Sequence, residues 1–487
     1  MRILMLGWEF PPFIAGGLGV ACYGLTRALD KLGHEVTFVL PKQVDRSQAS
    51  HVKLLTPDQL FAPRRVRTPE ATAGAAIGSH APEPSSPGID DPPDGPDGDP
   101  AAAQFERTRF IGVPATFSSP YPAFSTPNFI RLSDGTVLPQ WLSPAEAGGP
   151  GHGASAGPAA VMDLRREAMA LGMGQSMAGP GYGSDLIGDS ERYARLVVAL
   201  ARSEAFDVIH AHDWLTYPAG LALARVSRKP LLVHVHSTEF DRSGNNVNQR
   251  IYDIERAGMQ GADRVLAVSM FTKSICVRRY AVNPAKVDVV YNGIERESQQ
   301  PQEGSAIDSQ DKIVLFLGRI TMQKGPEYFI AAAKRVLEKI ANVKFVVAGS
   351  GDMALRMVEL AASMGIGHKV LFTGFLRGKD VERVFQMADC YVMPSVSEPF
   401  GLAALEAIHH DVPVIVSKTS GVSEVLQHVL KVDFWDIDEM ANKIVAVLRH
   451  PPLSQTLREH GTFELHRLTW ETAAERCVRA YQRSGAA

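Results

Sequence analysis

Residues 2–40 read RILMLGWEFPPFIAGGLGVACYGLTRALDKLGHEVTFVL, and the succession of element types in this stretch sets the fold class. Arg2–Leu6 is a short apolar run of strand length, Leu18–Leu32 carries apolar residues at helical spacing and stops at Gly33, and Glu35–Leu40 is a second apolar run. A strand, a helix and a strand in immediate succession form a βαβ unit with parallel strands. Such strands are covered on both faces, which accounts for continuous apolar runs in place of alternation.

The same rhythm resumes near Ser190. A helix (ERYARLVVALAR) is followed by a strand (DVIHAH), a helix (YPAGLALARV), a strand (PLLVHVH), a helix (QRIYDIERAG), a strand (DRVLAVS), a helix (FTKSICVRRY) and a strand (KVDVVYNG). It restarts at KIVLFLGRI and runs through PEYFIAAAKRVLEKI, VKFVVAGSG, KVLFTG, DVERVFQMADCYVMPS, SEPFGLAALEAIHH and VPVIVSK. The chain has 487 residues, beyond the roughly 250 to 300 at which a single core stops growing. We therefore expect two Rossmann-like α/β domains: residues 1–294, a polar linker at 295–310, residues 311–468, and a closing helix at 469–487 that returns to the first domain. Within the first, 67–105 is dense in Pro, Gly, Asp and Ser and reads as a disordered insertion, and 147–183 as a mobile Gly/Ala/Met-rich region. FIRLSDGTVLP between them places an Asp-Gly turn between apolar arms and reads as a hairpin.

The charge balance narrows the function classes. Lys and Arg number 50 against 53 Asp and Glu, a net charge of -3, so no broad basic field gathers nucleic acid or anionic lipid. The four cysteines lack C-x-x-C spacing and fit reduced thiols in a cytoplasmic protein. No run reaches the roughly 20 apolar residues of a membrane helix. The chain contains neither G-x-G-x-x-G after a strand nor a P-loop, which argues against a dinucleotide oxidoreductase or an NTPase.

Open parallel sheets bind ligands beyond the carboxyl ends of their strands. After the first strand, Gly16, Gly17 and Gly19 remove side chains where a helix begins, so backbone amides are open to a phosphate. In the second half, Arg319 and Lys324 follow LFLG closely enough to grip a diphosphate from two directions. SEPFGLAALE, residues 397–406, places Glu398 in a strand-to-helix loop, because Pro399 holds it extended, and Glu406 in the second turn of the ensuing helix. That separation, on the order of 10 Å along the axis, matches the span from a sugar across a diphosphate to a ribose. Gly318, Gly349, Phe400, Gly401 and Leu402 complete the candidate donor contacts. HAHDW brings His210, His212 and Asp213 to one strand end, and HVHSTE brings His234, His236 and Glu239 to the next. These histidines read either as metal ligands, which would need further groups, or as hydrogen-bonding groups for a polar network or ligand hydroxyls. No metal ligand set is assigned.

Together these motifs resemble the retaining, two-domain GT-B nucleotide-sugar glycosyltransferases, in particular the glycogen-synthase-like members of glycosyltransferase family 4. The resemblance implies a GT-B fold, an acceptor-side first domain and a donor-binding second domain. It implies a metal-independent hexosyltransferase that uses UDP- or ADP-hexose as a substrate, needs no cofactor, and transfers the sugar to a carbohydrate acceptor. It places Glu398 on the donor sugar, Glu406 on the ribose, Arg319 and Lys324 on the departing diphosphate, and the GGLG loop over the donor phosphates, with Asp213 and His236 on the transferred sugar. A nucleotide-sugar epimerase on the same plan, and a family 4 transferase of cell-surface polysaccharide or glycolipid, are the alternative readings.

Overall fold

The computed structural model describes residues 1–10, 16–41, 53–55, 108–112, 129–131, 137–139, 186–201, 204–295 and 311–486. The expected insertion at 67–105, the region 147–183 and all but the first residue of the 295–310 linker lie outside the described residues.

The strands of the first half are β1 (Arg2–Leu6), β2 (Glu35–Leu40), β3 (Lys53–Leu55), β4 (Thr108–Gly112), β5 (Phe129–Arg131), β6 (Val137–Pro139), β7 (Val208–His212), β8 (Leu231–Val235), β9 (Arg264–Ala267) and β10 (Val287–Val289). Eight of them form one sheet in the order β10-β9-β8-β7-β1-β2-β4-β3, and its neighbours run parallel. β5 and β6 form the separate antiparallel pair that the Asp-Gly turn announces, with Ile130 opposite Leu138. The second half contributes β11 (Lys312–Leu317), β12 (Val343–Ala348), β13 (Val370–Gly374), β14 (Cys390–Met393), β15 (Val414–Ser417) and β16 (Leu430–Val432). They form a parallel sheet ordered β13-β12-β11-β14-β15-β16.

Alternation within a strand shows why both faces must be apolar. In β1, Leu4 and Leu6 point into a cluster under the helices Leu186–Ala201 and Tyr217–Ser227. Ile3 and Met5 point the other way, into a cluster with Ala21, Leu25 and Leu29 of the helix Gly17–Lys31. In β11, Val314 and Phe316 enter one cluster and Leu315 the other. Each sheet is thus a middle layer between two helical layers.

The last helix, Trp470–Arg483, packs beside Gly17–Lys31 on the first sheet. Thr469 caps it by accepting from the Thr472 amide, and the segment ahead of it pairs Thr469 with Ile294. Close approach of the two helices depends on Gly24, where a Cβ atom would run into the Trp470 indole. No helix among the described residues is long and apolar enough to cross a membrane.

Candidate active site

The carboxyl ends of both sheets open onto one cleft of about 370 Å³, lined from the first half by Gly16, Gly17, Asp213 and His236. From the second half come Gly318, Arg319, Lys324, Gly349, Glu398, Phe400, Gly401, Leu402 and Glu406. A pocket of this size suits a small-molecule substrate. Of the residues assigned to the donor, Gly19 does not reach the wall: it is buried in the first turn of its helix. Gly16, Gly17 and Leu18 of the GGLG loop face the cleft. Gly17 lies opposite Leu402, with 3.7 Å between the position of a Cβ there and Leu402 Cδ1.

The floor on the second half is backbone in close approach. At Gly349, with φ of 141°, a Cβ would collide with the Gly318 carbonyl oxygen, so β11 and β12 present their ends to a ligand with no side chain between. Arg319 leaves this floor and points Nη2 at Gln323 Oε1, 3.5 Å away. The short 3-10 turn Met322–Lys324 then places Lys324 Nζ 2.5 Å from Glu398 Oε2. Glu398 is 7% exposed and also accepts from Ser395 Oγ at 3.3 Å. Its backbone pairs with Ser420, which holds it extended ahead of the helix Leu402–His409. Glu406 stands in the second turn of that helix, and burial pushes its carboxyl up to about 6.

The first half presents an acid and an imidazole. Asp213 follows β7 in the left-handed region, φ 57°, a conformation that aspartate tolerates better than most residues. Its Oδ1 accepts the backbone amides of His236 at 2.7 Å and Ser237 at 3.3 Å, which ties the end of β7 to the end of β8. Burial pushes its carboxyl up to about 7, against the opposing pull of those amides and of Arg242. Burial also brings His236 down to about 3, so its ring is neutral.

Behind this wall His210, His212, His234 and His236 form a stacked array, the two rings on each strand lying 4.3 Å apart between centroids. His210, His212 and His234 have nitrogens close enough to raise the metal reading. The donor set does not fit. Both nitrogens of His210 are engaged, Nδ1 with Tyr481 Oη at 2.7 Å and Nε2 with His234 Nδ1 at 3.2 Å. His212 Nδ1 is engaged with His236 Nε2 at 2.9 Å, so within the group His210, His212 and His234 only the Nε2 atoms of His212 and His234 remain, short of the three or four protein ligands of a zinc site. The hydrogen-bonding reading of these histidines is the one the geometry favours.

Sequence reasoning missed Asn292, Gln323 and Ser395, which also line the cleft. Gln323 sits inside the Arg319–Lys324 run and was open to detection; Asn292 and Ser395 carry no local signal. Glu239 is buried in an ion pair with Arg242, beside Glu255, and is absent from the cleft wall.

Three family profiles cover different parts of the chain. They are the starch synthase catalytic domain over residues 2–74, glycosyltransferase family 4 over 178–298, and glycosyl transferases group 1 over 297–462. An uncharacterized glycosyltransferase of Methanocaldococcus jannaschii is 32% identical over 297 residues, spanning 57% of this chain and 76% of the relative. A glycogen synthase of Mycobacterium tuberculosis is 24% identical over 497 aligned positions, spanning 99% and 94%. Among solved structures, Anabaena Alr3699/HepE, crystallised in complex with UDP-glucose, shares the fold at a TM-score of 0.60 and 14% identity, with 99% of this chain and 100% of that one covered. With two facing parallel α/β sheets, one shared cleft and these relatives, the chain belongs to the GT-B glycosyltransferases and is a hexosyltransferase of glycogen-synthase-like, family 4 type.

Proposed function

We propose that this protein is a retaining glycosyltransferase that moves a hexose, glucose first among them, from a UDP- or ADP-linked donor to a hydroxyl of a glycan acceptor. The observation that carries the reading is the meeting, in one cleft, of the Arg319–Lys324 cation pair with the Asp213–His236 pair of the opposite half. The Anabaena structure with UDP-glucose and the mycobacterial glycogen synthase support the donor and acceptor classes. The four buried free cysteines agree with a reducing, cytoplasmic setting.

In this mechanism the bond from the anomeric carbon to the diphosphate breaks and the diphosphate oxygen takes the electron pair. Arg319 and Lys324 meet the charge that develops there, a stabilisation that grows as the bond lengthens. The acceptor hydroxyl attacks the same face, and its proton passes to the departing diphosphate oxygen. Amides at the start of the helix Gly17–Lys31 face the phosphates from the other side. Glu398, held by Lys324, receives sugar hydroxyls, and Glu406 the ribose. Asp213 and His236 hold the transferred sugar, so much of the acceleration is positioning.

The test is a panel of nucleoside diphosphate hexoses with glycan acceptors, the product's anomeric configuration being read by proton NMR. An α-linked donor is expected to give an α-linked product. A β-linked product, or isomerised donor in the absence of acceptor, contradicts the reading.

A further inference from the structure

His212 and His234 are fully or almost fully buried, and the Nε2 atom of each has no hydrogen-bond partner among the described residues. Burial keeps both rings neutral. A neutral imidazole carries one N–H donor and one lone pair, and which nitrogen holds the proton is settled by the partners. A buried N–H without an acceptor is rarer than a buried lone pair without a donor. In His212, therefore, the proton sits on Nδ1 and is donated to His236 Nε2 at 2.9 Å. His236 Nε2 must then be the lone pair, which leaves the His236 proton on Nδ1. His236 is half-buried on the cleft wall, and Nδ1 is its remaining polar ring atom.

In the second pair, His234 Nδ1 meets His210 Nε2, and His210 Nδ1 meets Tyr481 Oη on the last helix. The unpartnered Nε2 of His212 thus specifies the proton positions of His212 and His236, while in the second pair the Tyr481 hydroxyl competes with His234 as the donor to His210.

We propose that His212 is a positioning residue that locks His236 into the tautomer protonated on Nδ1, so that the cleft wall offers the hexose an N–H donor and selects a sugar presenting an acceptor oxygen at that point. The proposal rests on the glycosyltransferase reading for the identity of the ligand, while the lock itself is a property of the free protein.

The experiment is a long-range proton–nitrogen NMR correlation on protein isotopically labelled at its histidine nitrogens, in the wild type and in His212→Leu and His212→Asn. The wild type is expected to show His212 and His236 both protonated on Nδ1. His212→Leu removes the donor and is expected to release His236 to the Nε2 tautomer or a mixture. It also lowers kcat/KM for the sugar donor by about tenfold, the loss of one neutral hydrogen bond to substrate. The side-chain amide of His212→Asn occupies the place of Nδ1–H and is expected to restore both the spectrum and most of the rate. Protonation of wild-type His236 on Nε2 overturns the proposal. So does an unchanged His236 spectrum in His212→Leu, or a stoichiometric divalent metal in elemental analysis of the purified protein, because the two open nitrogens would then be ligands. A spectrum that shows the lock in a protein that turns over no nucleotide sugar retains the tautomer assignment and refutes the proposed function alone.

Discussion

Asp213 joins three conditions: a left-handed backbone, burial in the cleft wall, and two backbone amides converging on one carboxylate oxygen. An ordinary aspartate titrates near 3.9, and this one is raised to about 7. The folded chain therefore holds the proton more tightly than the unfolded chain. The stability contributed by that difference is fully present below the unfolded value and is lost as pH rises through about 7. Activity runs the opposite way, since the ionised carboxylate is the better acceptor for sugar hydroxyls. We expect kcat/KM of the wild type to rise with pH through about 7 and Asp213→Asn to lack that limb. A wild-type profile flat between about pH 5 and pH 9 would contradict the assignment.

At the scale of elements, the last helix is an integral layer of the first half. Trp470 is 6% exposed and fills the space over Gly24, and Tyr481 is fully buried against the histidine array. Trp470→Ala is expected to cost about 3–5 kcal/mol, the usual range for emptying a buried aromatic site. Denaturant unfolding measures it, and a loss under about 1 kcal/mol would mean that the helix is dispensable to the core. The helix itself was legible in TWETAAERCVRAYQRS because its threonine cap and apolar spacing are local signals. So were the strands β1, β2, β7, β8, β11 and β12, which are covered on both faces and are predominantly apolar. The strands β3, β4 and β16 were not read. β3 and β16 have three residues each and lie at sheet edges, and β4 (TRFIG) mixes charge and glycine, so pairing with neighbours decides them and local sequence does not. For the site, motif residues that follow strands were placed together because strand ends converge. What stayed hidden were contacts between distant segments, such as Tyr481 with His210, since no spacing in the chain records them.

Across the whole molecule, the two halves meet through polar contacts around the cleft. Ser397, next to Glu398, donates its hydroxyl to Asp241 of the first half at 2.5 Å. The Glu424 carboxylate accepts the amides of Met270 and Phe271, at 2.9 and 2.5 Å, at the start of the helix Met270–Tyr280, where the helix dipole favours an anion. Thr272 Oγ1 reaches the Pro399 carbonyl at 3.3 Å. These contacts set Asp213 and His236 of one half opposite Arg319 and Lys324 of the other, and the account depends on those cations acting when the glycosyl bond breaks. Single-turnover kinetics of Arg319→Ala and Lys324→Ala, with folding checked by thermal unfolding, test it most directly. The account predicts that each substitution slows the chemical step about a hundredfold or more while the protein stays folded. Near-wild-type rates in either variant would contradict it.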